Sequence, residues 1–469
     1  MTVERLWRAL NDIEQREDLL NWRIGNVYLW PLVRMRLYRE IAETAGIFER
    51  LPERPELPQV PLKHIEGRSE YAVVPFLRRN AAGIDPFSQP IVDALAGASP
   101  GAGATSGPGA TSHKGATPPL VFGMGEQDVD SGRLQVEQLE RDFLRRYRTL
   151  AKLRVLPTLR RRHELKWQRV IAHFETEFGI ALKSNRVFPR WLLVNFVAQR
   201  HGWFRLFAAL GVRKVFVVNA WKRAMIAGAQ KAGATVVEPQ HGLLSDMHPL
   251  LSFEGADRVA YLPDELLVWG RYWAENSALP RSLRTTVIGE PSNLTRAREL
   301  TSVRQPHTVL FVSQAQHTTR LFETALHVAD SNPNLHVTVK PHPQEDREQF
   351  TEHLLQLGRT KPANLHFAER DSAATTLIAQ SEYVIGVYSM ALVEAVGLGA
   401  KVIAVQLPGW ENLTAIADRG DLVFADPATD IDLSRALTAA RVASDPSYYF
   451  SKPVSPTELA QILKAAPTE

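Results

Sequence analysis

Apolar residues follow a helical period in the first part of this chain and a strand-like alternation in the later part. Leu6, Leu10 and Ile13 recur every three to four residues, as on the buried face of a helix, and Pro31 suits the start of a further helix. A second helical stretch covers 133–209, with breaks near its prolines. The first 50 residues therefore predict two or three helices, and 133–209 predicts several more.

Short β-branched runs that end at glycine, proline or a polar residue predict the strands. They are Tyr71–Leu77, Val215–Val218, Thr235–Glu238, Leu266–Trp269, Val287–Ile288, Thr308–Ser313, Leu335–Lys340, Tyr383–Val387 and Lys401–Gln406. Helical segments separate most of these runs, and strands that alternate with helices predict parallel sheets in an α/β fold. Parallel sheets bind their ligands at the carboxyl ends of the strands. Candidate chemistry is therefore sought where each strand ends.

Five pieces of sequence carry a family resemblance. They are EPQHG (238–242), LLVWGRYW (266–273), VIGEP (287–291), KPHP (340–343) and YSMALVEAVGLGAKVIAV (388–405). Together they resemble the two-domain GT-B nucleotide-sugar transferases of bacterial surface-polysaccharide synthesis. Nearest in pattern are capsule and lipopolysaccharide transferases that use CMP-sugars, and teichoic-acid glycerophosphotransferases that use CDP-glycerol. The resemblance covers roughly the second half of the chain.

Pattern and resemblance jointly predict a GT-B-like α/β architecture, with two Rossmann-like βαβ domains facing a cleft and an N-terminal helical extension. We expect the extension over 1–60, an acceptor domain over 61–300 and a nucleotide-donor domain over 301–469. Within the acceptor domain, the low-complexity stretch 97–118 predicts a disordered insertion, and 133–209 predicts a basic helical insertion. The last predicted helix packs back across the first domain in many proteins of this fold.

The composition is that of an ordinary globular protein, with 45% hydrophobic and 23% charged residues among 469. The absence of cysteine excludes disulfides, zinc–thiolate sites and thiol catalysis. No apolar run approaches the roughly 20 residues that span a bilayer, and the N-terminus is too charged for a signal peptide. These features predict a cytoplasmic protein.

The net charge of +4 is small, but basic residues concentrate in the predicted helical insertion. A helix face that is only solvated is one explanation of this concentration of charge. Two others are contact with anionic lipids on the inner face of the plasma membrane and contact with an anionic glycan acceptor. Arg160, Arg161 and Arg162 are the candidate lipid contacts. Nucleic acid is disfavoured because no helix-turn-helix, zinc-finger or RNA-binding signature accompanies the charge.

His241 is the candidate general base of the predicted acceptor domain. It follows a predicted strand and precedes Gly242, so its ring should project from a turn at the carboxyl edge of the sheet. Imidazole titrates near neutral pH and can take a proton from an acceptor hydroxyl. A histidine that only hydrogen-bonds the turn is the alternative, and the resemblance of the QHG context favours the base.

The resemblance implies a donor site in the second domain. The histidine of the HP pair, His342 with Pro343, contacts the donor phosphate in the similar transferases, and Lys340 either adds a positive charge or points away. Ser389 precedes a predicted helix, where its hydroxyl can cap the helix, bind phosphate or do both. Glu394 on that helix can accept hydrogen bonds from a ribose or a cytosine.

The first loop of the second domain contains Gln314 and His317, which either line the donor pocket or are merely polar. No second glutamate stands at the spacing used by retaining GT-B enzymes, which favours an inverting mechanism. No Asp-x-Asp cluster is placed to hold a metal, so we expect neither metal nor cofactor. The acidic-acidic-Gly motif of several sialyltransferase families is replaced by EPQHG, and the glycerophosphotransferase serine pair is reduced to Tyr388-Ser389.

The sequence thus predicts an inverting glycosyltransferase that moves a sugar from a nucleotide-activated donor, CMP-linked in this expectation, to a glycan or lipid-linked acceptor in capsule or lipopolysaccharide synthesis. One alternative is a CDP-glycerol- or ribitol-type polyol-phosphate transferase, which attacks phosphorus instead of an anomeric carbon. Another is a catalytically silent GT-B-like subunit that binds glycan or partners. A UDP-sugar epimerase shares the architecture and would need no acceptor.

Overall fold

The structure is a computed structural model that describes most of the chain. The described ranges are 2–48, 68–75, 85–97, 118–124, 133–183, 186–218, 221–427 and 430–465. The predicted disordered insertion lies outside them, apart from its two end residues. No helix in these ranges is long and apolar enough to cross a membrane.

The N-terminal segment folds as two helices joined by a short antiparallel hairpin. Its elements are α1 (Val3–Arg16), β1 (Arg23–Ile24), β2 (Val27–Tyr28) and α2 (Trp30–Thr44). Pro31 stands in the first turn of α2, as predicted, where its missing N–H costs no helical hydrogen bond.

Six parallel strands form the first sheet, in the order β4-β3-β5-β6-β7-β8. They are β3 (Tyr71–Val74), β4 (Leu120–Val121), β5 (Lys214–Val217), β6 (Thr235–Pro239), β7 (Glu265–Val268) and β8 (Arg284–Val287). The accompanying helices are α3 (Gln89–Ala96), α4 (Val136–Val155), α5 (Arg161–Phe178), α6 (Arg190–Leu210), α7 (Arg223–Lys231), α8 (Arg271–Glu275) and α9 (Ser292–Glu299). Helices on the sheet faces bury the central strands β3, β5, β6 and β7 from both sides, which explains their largely apolar sequences.

The stretch predicted as a basic helical insertion is a structural part of the first domain. Helices α4 and α6 lie in the connection between β4 and β5, and Phe143 and Phe207 pack with Val215 and Val217 of the sheet in one core. The N-terminal helices share a second core with α5 and the first half of α6, in which Trp30 and Trp167 are fully buried. The predicted extension is therefore joined to the first domain by a common core.

The second sheet also has six parallel strands, in the order β11-β10-β9-β12-β13-β14. They are β9 (Gln305–Val312), β10 (His336–Lys340), β11 (Leu365–Phe367), β12 (Ser381–Gly386), β13 (Lys401–Val405) and β14 (Val423–Ala425). Its helices are α10 (Thr318–Ser331), α11 (Arg347–Gln356), α12 (Ala374–Gln380), α13 (Met390–Gly397), α14 (Thr414–Asp418), α15 (Asp430–Ala439) and α16 (Pro456–Lys464). The segment from 291 to 305, between the two sheets, contains α9 and a 3-10 turn.

The two domains meet through a continuous apolar core. Trp269 and Trp273 of the first domain pack in one cluster with Val396 and Phe450 of the second, and the Trp273 indole N–H donates to the Tyr449 carbonyl at 2.7 Å. Helix α16 returns to the first domain as predicted. There Leu463 joins the core under the first sheet, and the Lys214 amine donates to the Leu463 carbonyl at 2.9 Å. The predicted GT-B-like arrangement of two parallel α/β domains is confirmed.

Candidate functional site

A cavity of about 360 Å³ lies between the two domains. It is bounded by the loop after β6, by the loops after β9, β12 and β13, and by helix α2. Its lining residues are Met35, Tyr38, Arg39, Glu43, Phe48, Leu243, Ser245, Met247, His248, Pro249, Gln316, Tyr388 and Asn412. Loops that follow the carboxyl ends of strands in both sheets therefore meet at one place, where ligands of parallel sheets bind.

Helix α2 forms one wall of this cavity, which the sequence did not predict. Tyr38 is buried there, and burial raises the pKa of its hydroxyl well above the usual range, with Tyr388 and Glu411 adding to the effect. The Arg39 Nε donates to Glu43 Oε1 at 2.7 Å on the same helix. The Phe48 and Tyr388 rings lie 6.1 Å apart across the domain boundary.

A buried arginine joins α2 to the loop that follows β6. Arg34 is only 1% exposed, and its Nε lies 2.8 Å from Glu14 Oε2 of α1. The same guanidinium donates to the backbone carbonyls of Pro249 at 3.0 Å and Ser252 at 2.9 Å, and it stacks over the Phe253 ring at 4.1 Å. The position of the cavity wall is thus linked to the position of the N-terminal helices.

His241 follows β6 with a buried carboxylate behind it. Its Nδ1 lies 3.6 Å from Glu238 Oε1, and the His241 side chain is 27% exposed while that of Glu238 is 2% exposed. Glu238 also acts on Arg223, whose pKa burial lowers to about 10 while Glu238 opposes the shift. A partly exposed imidazole backed by a buried carboxylate is the arrangement that orients and stabilises a protonated histidine.

His248 stands between His241 and the cavity. It lines both the cavity and a pocket of about 30 Å³ that His241 also lines. Burial lowers the pKa of His248 to about 3, with further lowering by His241, Arg223 and Arg34, so this ring is neutral at physiological pH. Its Nδ1 is buried and has no hydrogen-bond partner in the described part of the chain.

Glu345 organises the loops at the ends of β9 and β10. This buried carboxylate accepts hydrogen bonds from the Ser313 hydroxyl at 2.8 Å, from the Thr318 hydroxyl, and from the His342 backbone N–H at 2.6 Å. The Gln344 backbone N–H donates to His342 Nδ1 at 3.2 Å. A ring nitrogen that accepts this bond carries no hydrogen, so the neutral His342 ring has its N–H at Nε2.

Tyr388 and Gln316 close the second-domain side of the cavity. The Tyr388 hydroxyl donates to Gln316 Oε1 at 2.5 Å, and burial raises the pKa of that hydroxyl. Gly409 lies against the Tyr388 ring with a φ of +103°, and a Cβ added there would stand 2.3 Å from a ring carbon. Glycine is required at this position both for the backbone conformation and for the space.

Three of the predicted donor-binding residues have polar groups without a partner in the described chain. The Ser389 hydroxyl stands at the N-cap of α13 but makes no capping bond, and it is buried. Gln314 Oε1 is likewise buried and unpartnered. The carboxyl of Glu394 has no hydrogen bond to any described residue, and burial alone raises its pKa to about 7. Buried polar atoms are nearly always hydrogen-bonded, so unsatisfied ones are candidates for ligand contacts.

Three other predicted donor-binding residues are placed differently. The Lys340 amine donates to the backbone carbonyls of Glu369 at 3.0 Å and Arg370 at 2.7 Å, so it is engaged outside the cavity. The His317 ring is buried and bonded through Nε2 to the Pro408 carbonyl at 2.8 Å, which gives it a structural role. Pro343 is exposed.

None of the predicted site residues is itself among those that line the cavity, although their neighbours are. Gln316 lies between Gln314 and His317, Tyr388 precedes Ser389, and Leu243 follows the His241-Gly242 pair. His241 lines the separate pocket of about 30 Å³, and His342 lines neither that pocket nor the cavity. The strand ends were predictable from the sequence, whereas the contribution of α2 had no local signal. Within the described residues, no group of three or more metal-ligating side chains occurs.

Comparison with known proteins finds neither a matching family model nor a matching curated protein. Solved structures do match. The UDP-GlcNAc 2-epimerase from Neisseria meningitidis bound to UDP-GlcNAc has a TM-score of 0.43 and 11% identity, covering 84% of this chain and 97% of its own. Anabaena Alr3699/HepE in complex with UDP has a TM-score of 0.34 and 15% identity over 56% of this chain and 80% of its own.

Sucrose-phosphate synthase from Thermosynechococcus elongatus has a TM-score of 0.33 and 14% identity, covering 59% of this chain and 76% of its own. With TM-scores below 0.5 these matches decide nothing about the reaction, which has to be argued from the residues of this chain. The resemblance to cytidine-donor transferases is not tested by them and stays a proposal.

Proposed function

We propose that this protein is a transferase that uses a nucleotide-activated sugar, with a cytidine-linked donor bound by the second domain and a glycan acceptor bound by the first. The observation that carries the proposal is the set of unsatisfied buried groups on the loops around the interdomain cavity. Ser389 Oγ and Gln314 Oε1 belong to the second domain, and His248 Nδ1 belongs to the first. Each would gain a partner from a polar ligand in the cleft.

The donor phosphate is assigned to the end of β12, where α13 begins. The first N–H groups of a helix have no partner within the helix, and the partial positive charge there favours an anion. The Ser389 hydroxyl adds a donor at the same point. His342, with its hydrogen on Nε2, is in the form that can donate to a phosphate oxygen as the leaving group departs. Glu394 would accept from the hydroxyls of a ribose or from a cytosine amine.

The acceptor is assigned to the side of the cavity formed by α2 and the loop after β6. Tyr38, Phe48 and Tyr388 offer aromatic surface for a sugar ring, and Arg39 with Glu43 offers a donor and an acceptor for its hydroxyls. His241 serves as the base for an acceptor hydroxyl that extends from the cavity past His248. The acceptor oxygen bonds to the anomeric carbon, the bond from that carbon to the phosphate oxygen breaks, and the acceptor proton passes to the imidazole. The nucleotide leaves as CMP, and the configuration at the anomeric carbon inverts.

A polyol-phosphate transferase is the alternative that uses the same groups. There the acceptor oxygen bonds to the β-phosphorus of a CDP-polyol, and CMP again leaves. Release of CMP therefore does not separate the two reactions, but phosphorus in the acceptor product does. A UDP-sugar epimerase would convert its substrate with no acceptor present. A silent subunit would bind a ligand and turn over nothing.

The test is a thermal-shift screen against CMP, CDP, UMP, UDP, GDP and ADP, with wild type, His342→Ala and Ser389→Ala. A ligand at 100 times its dissociation constant stabilises the fold by about 2.7 kcal/mol, which is a readily measured shift. We expect a shift with cytidine nucleotides that is reduced in both variants. His366→Ala removes an exposed histidine of β11 and should leave the shift unchanged.

Product analysis completes the test. With a cytidine donor and a glycan acceptor, sugar transfer without phosphorus supports the glycosyltransferase, and phosphorus in the product supports the polyol-phosphate transferase. His241→Ala should abolish turnover and retain the nucleotide shift. No shift with any nucleotide would overturn the proposal and favour the silent subunit.

A further inference from the structure

The second half of α4 and the turn into α5 carry a high density of positive charge. Between 145 and 162 the sequence has eight arginine and lysine residues and no aspartate or glutamate. The arginines at 146, 148, 154 and 160 to 162 are all exposed. None of them forms a salt bridge with a carboxylate of the described residues. Their charge is therefore available to an external partner.

Large apolar side chains are exposed on the same helices. Leu153 is 70% exposed and Leu156 40% exposed on or just after α4, Leu165 is 53% exposed on α5, and Trp191 is 50% exposed at the start of α6. Of the eleven large hydrophobic residues that are exposed in the described chain, six lie between 150 and 191. Single exposed apolar residues are normal, but such a concentration marks an interaction surface.

Contacts join part of this set of side chains across α4, α5 and α6. Arg148 and Lys152 of α4 lie over the Trp191 ring, at 5.4 and 5.3 Å from its centroid. Arg190 of α6 pairs with Glu164 of α5 at 2.7 Å, which brings the first turns of these two helices together. On α4 itself, positions 145, 149 and 152 share one face by helical spacing, with Leu153 beside it. We call this surface, from Arg145 to Leu165 with Trp191, the basic–apolar face.

We propose that the basic–apolar face binds the surface of an anionic lipid bilayer. Arginine side chains pair with lipid phosphates, and aliphatic and tryptophan side chains enter the interface between headgroups and acyl chains. A helix face that is only solvated needs no exposed leucines. A soluble polyanion would use the arginines but would leave Leu153 and Trp191 in water. The mixture of the two side-chain types favours the bilayer.

This proposal goes beyond the nucleotide chemistry and does not depend on it. The basic–apolar face contains none of the residues that line the cavity.

The test measures co-sedimentation of the purified full chain with lipid vesicles, composed of phosphatidylcholine alone or with about 30% phosphatidylglycerol. Wild type should bind the anionic vesicles at least tenfold more tightly than the neutral ones. The triple variant Arg160→Gln, Arg161→Gln, Arg162→Gln should lose at least tenfold in affinity. The double variant Leu153→Gln, Trp191→Gln should lose a similar factor, because both side chains are exposed and their loss does not affect the core.

Matched controls remove the same groups elsewhere. Arg8, Arg213 and Arg281 are 76 to 80% exposed, and their joint replacement by glutamine lowers the net charge equally. Leu355 is 74% exposed on α11, and Leu355→Gln matches the leucine part of the apolar change. Neither control should weaken vesicle binding by more than twofold.

Two outcomes would overturn the proposal. One is the absence of binding to anionic vesicles. The other is binding that the Leu153 and Trp191 changes leave intact and that soluble polyphosphate abolishes, which would identify the face as a site for a soluble polyanion. The nucleotide thermal shift of the triple arginine variant should equal that of wild type, so a failure here is distinguishable from a failure of the proposed transferase.

Discussion

The Ser245 hydroxyl of the first domain donates to Asn412 Oδ1 of the second domain at 2.7 Å. Ser245 belongs to the loop after β6, and Asn412 belongs to the 3-10 turn after β13, where its amide donates to the Gly409 carbonyl at 2.9 Å. Both residues line the cavity. This hydrogen bond therefore connects the two domains at the wall of the cavity.

Loss of this bond should be measurable as a loss of stability. We expect Ser245→Ala to lower the free energy of unfolding by about 1–3 kcal/mol, because Asn412 Oδ1 is left without its partner. Urea unfolding gives the value. Ser277→Ala is the matched control, since the Ser277 hydroxyl is buried with no hydrogen-bond partner in the described chain, and it should change stability by less than about 0.5 kcal/mol. Equal losses in the two variants would contradict the role assigned to Ser245.

Gly409 should tolerate no side chain. We expect Gly409→Ala to cost about 2–5 kcal/mol, the sum of a left-handed backbone and a clash with Tyr388. Gly420→Ala separates the two contributions, since Gly420 has a φ of +76° and nothing within 4 Å of an added Cβ. It should cost about 1 kcal/mol. Thermal unfolding of both variants measures the difference between their losses of stability. That difference would vanish if the Tyr388 ring could move away from an added Cβ.

Arg34 should be needed to hold the N-terminal helices on the loop after β6. We expect Arg34→Met to cost about 3–5 kcal/mol, because it leaves the buried Glu14 carboxylate and two backbone carbonyls without their partner. The double variant Glu14→Gln, Arg34→Met should be less destabilised than the single one. Chemical unfolding of Arg34→Met, Glu14→Gln and the double variant completes a double-mutant cycle. A double variant that loses the sum of the two single losses would argue against coupling of the pair.

Glu394 should make stability fall as pH rises. Its pKa is about 7 in the folded protein and 4.5 in the unfolded chain, so between these values the folded state holds a proton that the unfolded state has lost. At pH 8 we expect Glu394→Gln to unfold at a higher temperature than wild type, by an amount equivalent to about 1–3 kcal/mol in the free energy of unfolding. Near pH 4.5 we expect the two proteins to unfold at the same temperature. Nucleotide binding should weaken in the same variant. A gain in stability that is independent of pH would exclude titration of Glu394 as its cause.

His248 should act in the opposite direction. Its pKa falls from 6.5 to about 3 on folding, so below pH 6.5 the unfolded chain takes up a proton that the folded protein does not. Stability is therefore lost as pH falls. Between pH 7.5 and pH 5 this amounts to about 2 kcal/mol. Over the same pH interval, the free energy of unfolding of His248→Gln should fall by about 2 kcal/mol less than that of wild type. Thermal unfolding at the two pH values measures the difference. An unchanged pH dependence would show that His248 does not titrate in this way.

Local sequence accounts for much of the fold. Four strands of the second domain, β9, β10, β12 and β13, begin and end within a few residues of their predicted limits because β-branched runs, prolines and glycines act over a few residues. The short strands β11 and β14 were not predicted. The loops that carry the candidate chemistry were predictable for the same reason. The helical stretch 133–209 was also recognised, but the packing of α4 and α6 against the first sheet was not, because it depends on contacts between distant residues.

What the sequence determined by itself is thus the set of elements and the strand ends at which polar groups collect. What only the tertiary structure decided is which of those groups meet. The cavity draws Tyr38 from the N-terminus, Ser245 from the first domain and Tyr388 from the second, and no periodicity relates residues so far apart. The same holds for Lys340, whose residue type suggested a phosphate contact. Its amine instead reaches two backbone carbonyls, because a side chain takes the partners that packing brings within its length.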